Sequence, residues 1–545
     1  MLRAIFQRRS SLRSGPLARG WLNTFLVAII PAVVAVALYW PVTGHEFVWD
    51  DADKFARTAQ TPHYSAAFGP DYWTKLSHEP RASGYYRPVA SALFALNRHA
   101  EGPFVFHLEG VLLHGLICAL VALLAIWVVA EPSVPVPKPA GEAQRPRIGV
   151  ALLTGLFFAT HPVHTEAVAF ASDLTDLLCS AFYLLALLAA LGRRPVLFGV
   201  FWMLSLGSKE MAVTLPAVWF LAEWVRGGRI PRRPGMICAI ALVGCLYLGL
   251  RWRVCGYLGA GEEGLAWTGA SLRLAEMGRS VGLAIRLLVW PDPLVADYGP
   301  AGHPVPPELV SILGGAAFLG CIASLPWLIR RYPGLALALG WFALTYLPTS
   351  NLLPIPQPRA ERFLYLPSVG PLLGLALAAS SKVRWPVMGI FSLGLIVTWS
   401  ALTHRRLPDW KNELSLWNSV VHVLPDNPRA LHNLGTAHEK AGRHQVAASL
   451  FADAHALAPR METVARSHAR ALARGGDWPA SEEVLREYLV HSPNALSARV
   501  DLARVLAAQG DCPAALLALA GIPREASEYA SAEWLRERCA FQNGG

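Results

Sequence analysis

Apolar runs separated by short basic turns constrain this chain more than any other feature. Residues 21–41 carry no charged side chain. A helix of that length, rising about 1.5 Å per residue, reaches across the roughly 30 Å core of a bilayer. Further runs follow at 107–130, 148–162, 174–191, 196–226, 235–252, 305–329, 334–348, 362–380 and 385–402. The run 196–226 is broken by Ser208-Lys209-Glu210 and is read as two short helices. Residues 271–290 read instead as an amphipathic helix lying on the surface. The prediction is an all-α, polytopic membrane domain with about eleven crossings.

Charge sets the expected orientation. Arg3, Arg8, Arg9, Arg13 and Arg19 precede the first run, and Arg193-Arg194, Arg330-Arg331 and Lys382 with Arg384 close later ones. Basic residues collect in cytoplasmic turns, so residues 1–20 are placed inside and 42–106 form the first external loop. Arg251, Arg253, Arg405 and Arg406 fall on the outer side, against that trend. An odd number of crossings places everything after residue 403 outside. The net charge of +10 does not imply nucleic acid, because the cations sit in these turns. With 54% hydrophobic residues, 16% charged residues and mean hydropathy +0.36, an ordinary soluble enzyme is excluded. The first run is too long for a signal peptide and no small-residue cleavage site follows, so it reads as an uncleaved helix. The eight cysteines include no CxxC pair, so no zinc ribbon or redox motif is supported. Cys512 and Cys539 lie in the polar tail and would pair in an oxidising compartment.

The tail is a different kind of sequence. Gly442, Gly476 and Gly510 are 34 residues apart, and so are Pro425, Pro459 and Pro493. That is the tetratricopeptide period. Gly closes the turn inside a helix pair and Pro ends the second helix. Residues 404–428 read as a connecting and capping helix, and 429–545 as an α-solenoid of about three repeats with a concave peptide-binding face.

Ionisable residues gather at the expected outer ends of the helices and are scarce at mid-membrane. A transporter needs them near the midplane, whereas an enzyme acting on a lipid-linked substrate needs them at the interface. Asp50 and Asp51, in GHEFVWDDAD (44–53) beside Glu46, lie just past the first run. A half-desolvated carboxylate there can act as a general base. The bland alternative is that the pair stops the helix and solvates the loop. His161, His164 and Glu166 have a spacing that could hold a metal. The preferred reading is a Pro162 turn whose polar groups hydrogen-bond loops or substrate. Lys209 beside Glu210, Arg87 beside Tyr86, and Arg359 and Arg362 around Glu361 and before Tyr365 offer cations for a phosphate, or interface anchors.

FVWDD, YRP, HPVHTEAVA, SKE, PLVADY and ERFLYLPSVG occur in that order, ahead of the repeats. Together they resemble the transmembrane-and-tetratricopeptide-repeat O-mannosyltransferase-like family, over nearly the whole chain. The resemblance implies a GT-C glycosyltransferase fold. It also implies a polyprenyl-phosphate sugar donor, such as polyprenyl-phosphate mannose, and transfer on the external or lumenal side. The family pattern puts the essential acid in the first external loop, matching Asp50-Asp51. Arg362, with Lys209, Arg87 or Arg359, would meet the donor phosphate. The other candidates near the substrate are Glu46, Tyr86, His161, His164, Glu166, Glu210, Glu361 and Tyr365. The scheme requires no cofactor, and a divalent metal is not favoured. The repeats would present a protein acceptor; the alternatives are a transferase acting on a lipid or polysaccharide, or a non-enzymatic membrane-anchored repeat scaffold. The Ala, Arg and Trp bias suggests a bacterial member in the inner membrane with periplasmic repeats; in a eukaryote they would face the endoplasmic reticulum lumen. One departure stands out. Relatives often carry an Arg before Asp-Leu-Leu, where this chain has Ser172-Asp173-Leu174-Thr175-Asp176.

Overall fold

A computed structural model describes residues 17–52, 54–55, 86–129, 145–227, 232–255, 270–299, 308–352, 355, 357–381 and 385–543. The N-terminal arginines before residue 17, residues 53 and 56–85 of the first external loop, the Lys138 linker and the Lys382–Arg384 turn lie outside the described residues. Among the described residues the regular structure is helical throughout. Two compact units are present, one built mainly from residues before Glu413 and the other from Glu413 onward.

The first unit contains fourteen α-helices among the described residues. They are α1 (Leu17–Tyr39), α2 (Pro88–Leu96), α3 (Phe104–Val129), α4 (Arg145–Thr160), α5 (Thr165–Ala169), α6 (Leu174–Leu191) and α7 (Pro195–Leu206). Then come α8 (Leu215–Gly227), α9 (Pro234–Cys255), α10 (Ala270–Val289), α11 (Glu308–Arg331), α12 (Pro333–Tyr346), α13 (Val369–Ser381) and α14 (Trp385–Arg406). Among the described residues each apolar run read from the sequence overlaps a helix of this set; 196–226 divides between α7 and α8, and 362–368 precede α13.

Five stretches are individually long and apolar enough to cross a membrane: Leu22–Gly44, Phe104–Val129, Ala171–Leu191, Pro234–Cys255 and Ile312–Arg331. A sixth is Ile148–Thr160 with Pro162–Ala169, bent by 53° at the break. This is the architecture of a multi-pass membrane protein. Val387, Ile390, Leu393 and Val397 of α14 are each more than half exposed. A helix that turns bare aliphatic side chains outward is at home against lipid.

Local chemistry explains the irregular points. The bend after α4 comes from His161-Pro162: Pro162 has no N–H to donate, and the His161 side chain accepts the orphan amide of Val163 at 3.2 Å. Helices α1, α3 and α4 pack on one another, and α4 also meets α13 and α14. A Cβ on Gly155 would lie 2.7 Å from Pro31 Cγ, so only glycine lets α4 approach α1 this closely. The amphipathic α10 lies along α11, where Gly314 and Gly315 meet the backbone of Gly278 and Gly282.

The second unit continues with α15 (Glu413–Val423), α16 (Pro428–Lys440), α17 (His444–Leu457), α18 (Glu462–Arg474) and α19 (Trp478–His491). It ends with α20 (Leu496–Ala508), α21 (Cys512–Ala518) and α22 (Tyr529–Asn543). Each helix packs on the next, and α16, α18, α20 and α22 also touch in succession. Gly442, Gly476 and Gly510 follow α16, α18 and α20 with φ of +75°, +86° and +87°. Their Cβ positions are empty, so the left-handed backbone, not crowding, selects glycine there.

Candidate active site

The two aspartates at 50 and 51 separate as soon as the backbone is traced. After α1, a 3-10 turn (Trp40–Gly44) leads into an extended strip, and Trp49 takes φ +56°. Its indole stacks on Phe170, with centroids 5.7 Å apart, which holds this uncommon conformation. The turn sends the neighbouring carboxylates in opposite directions. The Asp50 side chain is 57% exposed and pairs with Lys54 at 3.5 Å. Asp51 is fully buried. Its Oδ1 accepts from Ser172 N at 2.8 Å and Ser172 Oγ at 2.5 Å, and its Oδ2 accepts from Val48 N at 3.4 Å. Burial pushes the Asp51 carboxyl up to about 7, against the opposing pull of Ser172 and Lys54.

Ser172 leads directly to a buried network of charge. Asp173, the next residue, lies 3.6 Å from Arg362 Nε. The Arg362 guanidinium also donates to Glu166 and to Gln357, and its backbone N–H donates to Glu166 Oε2 at 2.9 Å. One helical turn beyond Asp173, Asp176 accepts from Lys209 Nζ at 2.5 Å. Phe363 sits beside both cations, with Lys209 Nζ 5.9 Å and the Arg362 guanidinium 5.4 Å from its centroid. The network therefore holds three carboxylates and two cations, all at least mostly buried. Ion pairing of this kind is what lets so many charges leave water together.

The other candidates fall around this centre. Arg87 forks onto Glu210 at 2.6 and 3.0 Å, and Val89 N donates to Gly207 O at 2.8 Å. The YRP turn, with the half-buried Tyr86, is thus docked on the SKE break next to Lys209. Arg359 turns to Glu276 at 3.0 Å instead. Glu361 points away from its neighbour Arg362, toward Val295 N at 2.5 Å and Arg406 at 3.8 Å. Glu46 is exposed and is fixed through its backbone, its N–H donating to Lys411 O at 2.9 Å.

The histidines of the HPVHTE motif serve the walls. His161 Nε2 faces Leu288 O at 3.2 Å. His164 faces Phe158 O at 2.8 Å and Ser368 Oγ at 2.9 Å. Tyr365 OH meets His114 Nδ1 at 2.7 Å. His161, His164 and Glu166 each turn to different partners, and no group of three metal-ligating side chains converges among the described residues.

Ser172, Asp173, Asp176 and Gln357 belong to this centre and are absent from the sequence-derived set. One signal was present. Asp173 and Asp176 are acids three apart at the start of an apolar run, a spacing that puts both on one helix face.

No family model and no solved structure matches the chain. Curated relatives do match. The chain is 26% identical to protein O-mannosyl-transferase Tmtc3 of Drosophila melanogaster over 504 residues, covering 77% of this chain and 54% of that protein. It is 26% identical to protein O-mannosyl-transferase TMTC4 of Mus musculus over 486 residues, with 76% and 64% covered. It is 27% identical to protein O-mannosyl-transferase F38B6.6 of Caenorhabditis elegans over 460 residues, with 76% and 59% covered. The chain thus spans between half and two thirds of the length of these relatives, and its similarity to each extends over about three quarters of its own length.

Proposed function

We propose that this chain is a membrane glycosyltransferase of the transmembrane-and-tetratricopeptide-repeat O-mannosyltransferase family, with a GT-C bundle of about eleven crossings. It would move mannose from a polyprenyl-phosphate donor to a protein hydroxyl on the external side of the membrane. The observation that carries this reading is Asp51: a carboxylate removed from water, aimed by Ser172, and adjoining the Arg362–Glu166–Asp173 network. The names of the relatives supply the sugar and the class of acceptor.

In the proposed reaction Asp51 accepts the proton of a Ser or Thr hydroxyl. The oxygen attacks the anomeric carbon from the face opposite the phosphate, the bond to the phosphate oxygen breaks, and configuration inverts. A lipid phosphate is already a good leaving group, so fixed positive charge can stand in for a general acid. Arg362 and Lys209 would supply it. Both cations begin paired to carboxylates, which keeps them oriented in the absence of donor. Arg87 would act through Glu210 to hold the Lys209 turn in place. The helices of the second unit would form a tetratricopeptide solenoid that presents the acceptor, in the periplasm of a bacterium or the lumen of the endoplasmic reticulum.

The test is the fate of label from radioactive polyprenyl-phosphate mannose incubated with the purified full-length chain and membranes. Label in the protein fraction supports the reading. Label confined to lipid or polysaccharide would overturn the acceptor, and no transfer would overturn the enzyme.

A further inference from the structure

Arg470, Arg504 and Arg538 are spaced by 34 residues, the interval that also separates the three turn glycines. Arg470 and Arg504 are each the ninth residue of their helices, α18 (Glu462–Arg474) and α20 (Leu496–Ala508), and Arg538 lies on α22. Helix α18 packs on α20 and α20 on α22, so the guanidiniums step along adjacent helices. All three line one groove of about 610 Å³, together with Trp478 and Trp534.

The charge of that groove is not balanced from within. Among the described residues Asp501 is the only carboxylate on its lining, and it already faces Arg466 at 2.7 Å and Arg504 at 3.0 Å. Arg470 Nε donates to the backbone oxygen of Arg466 at 3.3 Å. Arg538 stacks over the exposed Trp534 ring, 5.3 Å from its centroid. Neighbouring helices pack about 8–10 Å apart, so the ladder steps by about that distance. A polyproline II chain rises about 3.1 Å per residue with three residues per turn, so its side chains three residues apart share one face and match the step.

We propose that this groove binds an acidic protein segment in the polyproline II conformation, carrying Asp or Glu at about every third residue. The inference rests on the acceptor-presenting role proposed above for its biological meaning, but the binding is measured without sugar transfer, so the two fail separately. The tryptophans would cover the aliphatic and backbone surface of the segment while the arginines meet its carboxylates.

The experiment is fluorescence anisotropy with full-length protein in phosphatidylcholine nanodiscs and a labelled peptide bearing Asp at positions one, four and seven. Wild type should bind it and should bind the Asn-substituted peptide at least about tenfold more weakly, with affinity for the acidic peptide falling about tenfold between roughly 50 and 300 mM salt. Arg470→Gln combined with Arg538→Gln should weaken acidic-peptide binding about tenfold. Both side chains are exposed, so circular dichroism and the melting transition should stay unchanged. Equal binding of the Asp and Asn peptides, or an unaffected double variant, would overturn the proposal. Loss of peptide binding in phosphatidylglycerol nanodiscs would assign the arginines to lipid headgroups and overturn it too.

Discussion

Replacing Asp51 by Asn should make the chain's stability less sensitive to alkaline pH. The Asp51 carboxyl is buried and stands at about 7, against 3.8 for an unhindered aspartate. A raised acid favours the fold while it is protonated there. That contribution is complete below the unfolded value and is lost as pH rises through the folded one. Each unit of difference is worth about 1.4 kcal/mol, so between pH 5 and 8 the wild type should lose about 3 kcal/mol through this one group. Asn is neutral and nearly isosteric. Its carbonyl can still accept from Ser172, while its amide faces Val48 N–H at a cost of about 1 kcal/mol. The difference between the two proteins cancels every other titration. Matched thermal and denaturant unfolding of both full-length proteins in the same detergent, at pH 5, 6, 7 and 8, reads it. The gap should move in favour of Asp51→Asn by about 3 kcal/mol across that range, several degrees in Tm. Parallel pH profiles, or a gap that moves the other way, would refute the argument that burial dominates at Asp51.

Arg362→Met should strand Glu166 and Asp173 as buried, unpaired carboxylates and cost about 3–5 kcal/mol, seen as a large fall in Tm; Arg362→Lys should lose less, because it keeps the charge but not the fork. Lys209→Met and Asp176→Leu should each destabilise by a similar amount, while the double variant returns close to wild-type stability and still fails to transfer sugar. Gly435→Ala should cost about 1–3 kcal/mol in the second unit, because the added Cβ meets Phe451 Cε1 at 2.7 Å; Phe451→Leu in the same background should recover part of it in a melting experiment.

The sequence shows where its helices lie because hydrophobic runs and terminators are local properties. The 34-residue glycines are legible for the same reason: a left-handed turn needs glycine whatever surrounds it. The roles of Asp50 and Asp51 are not legible, since both are acids in one loop. What divides them is the φ of Trp49 and its stacking on Phe170, a contact across 121 residues of chain. Asp173 and Asp176 read, at first, as the place where a relative's arginine is missing. Their meaning emerges only once Arg362 and Lys209, from distant segments, are seen to pair with them. Glu361 and Arg362 show the converse: one motif, ERFLYLPSVG, sends adjacent charges to separate partners. Side-chain direction in irregular turns depends on partners that spacing alone does not name.

The most direct measurement is mannose transfer from labelled polyprenyl-phosphate mannose by wild type, Asp50→Asn and Asp51→Asn, each shown to be folded. Loss of a general base costs about 10²–10⁴ in rate. The buried, Ser172-anchored Asp51 should therefore lose that much when changed to Asn, while the exposed Asp50 should keep activity within a few-fold. Full activity in Asp51→Asn, with or without loss in Asp50→Asn, would contradict the account.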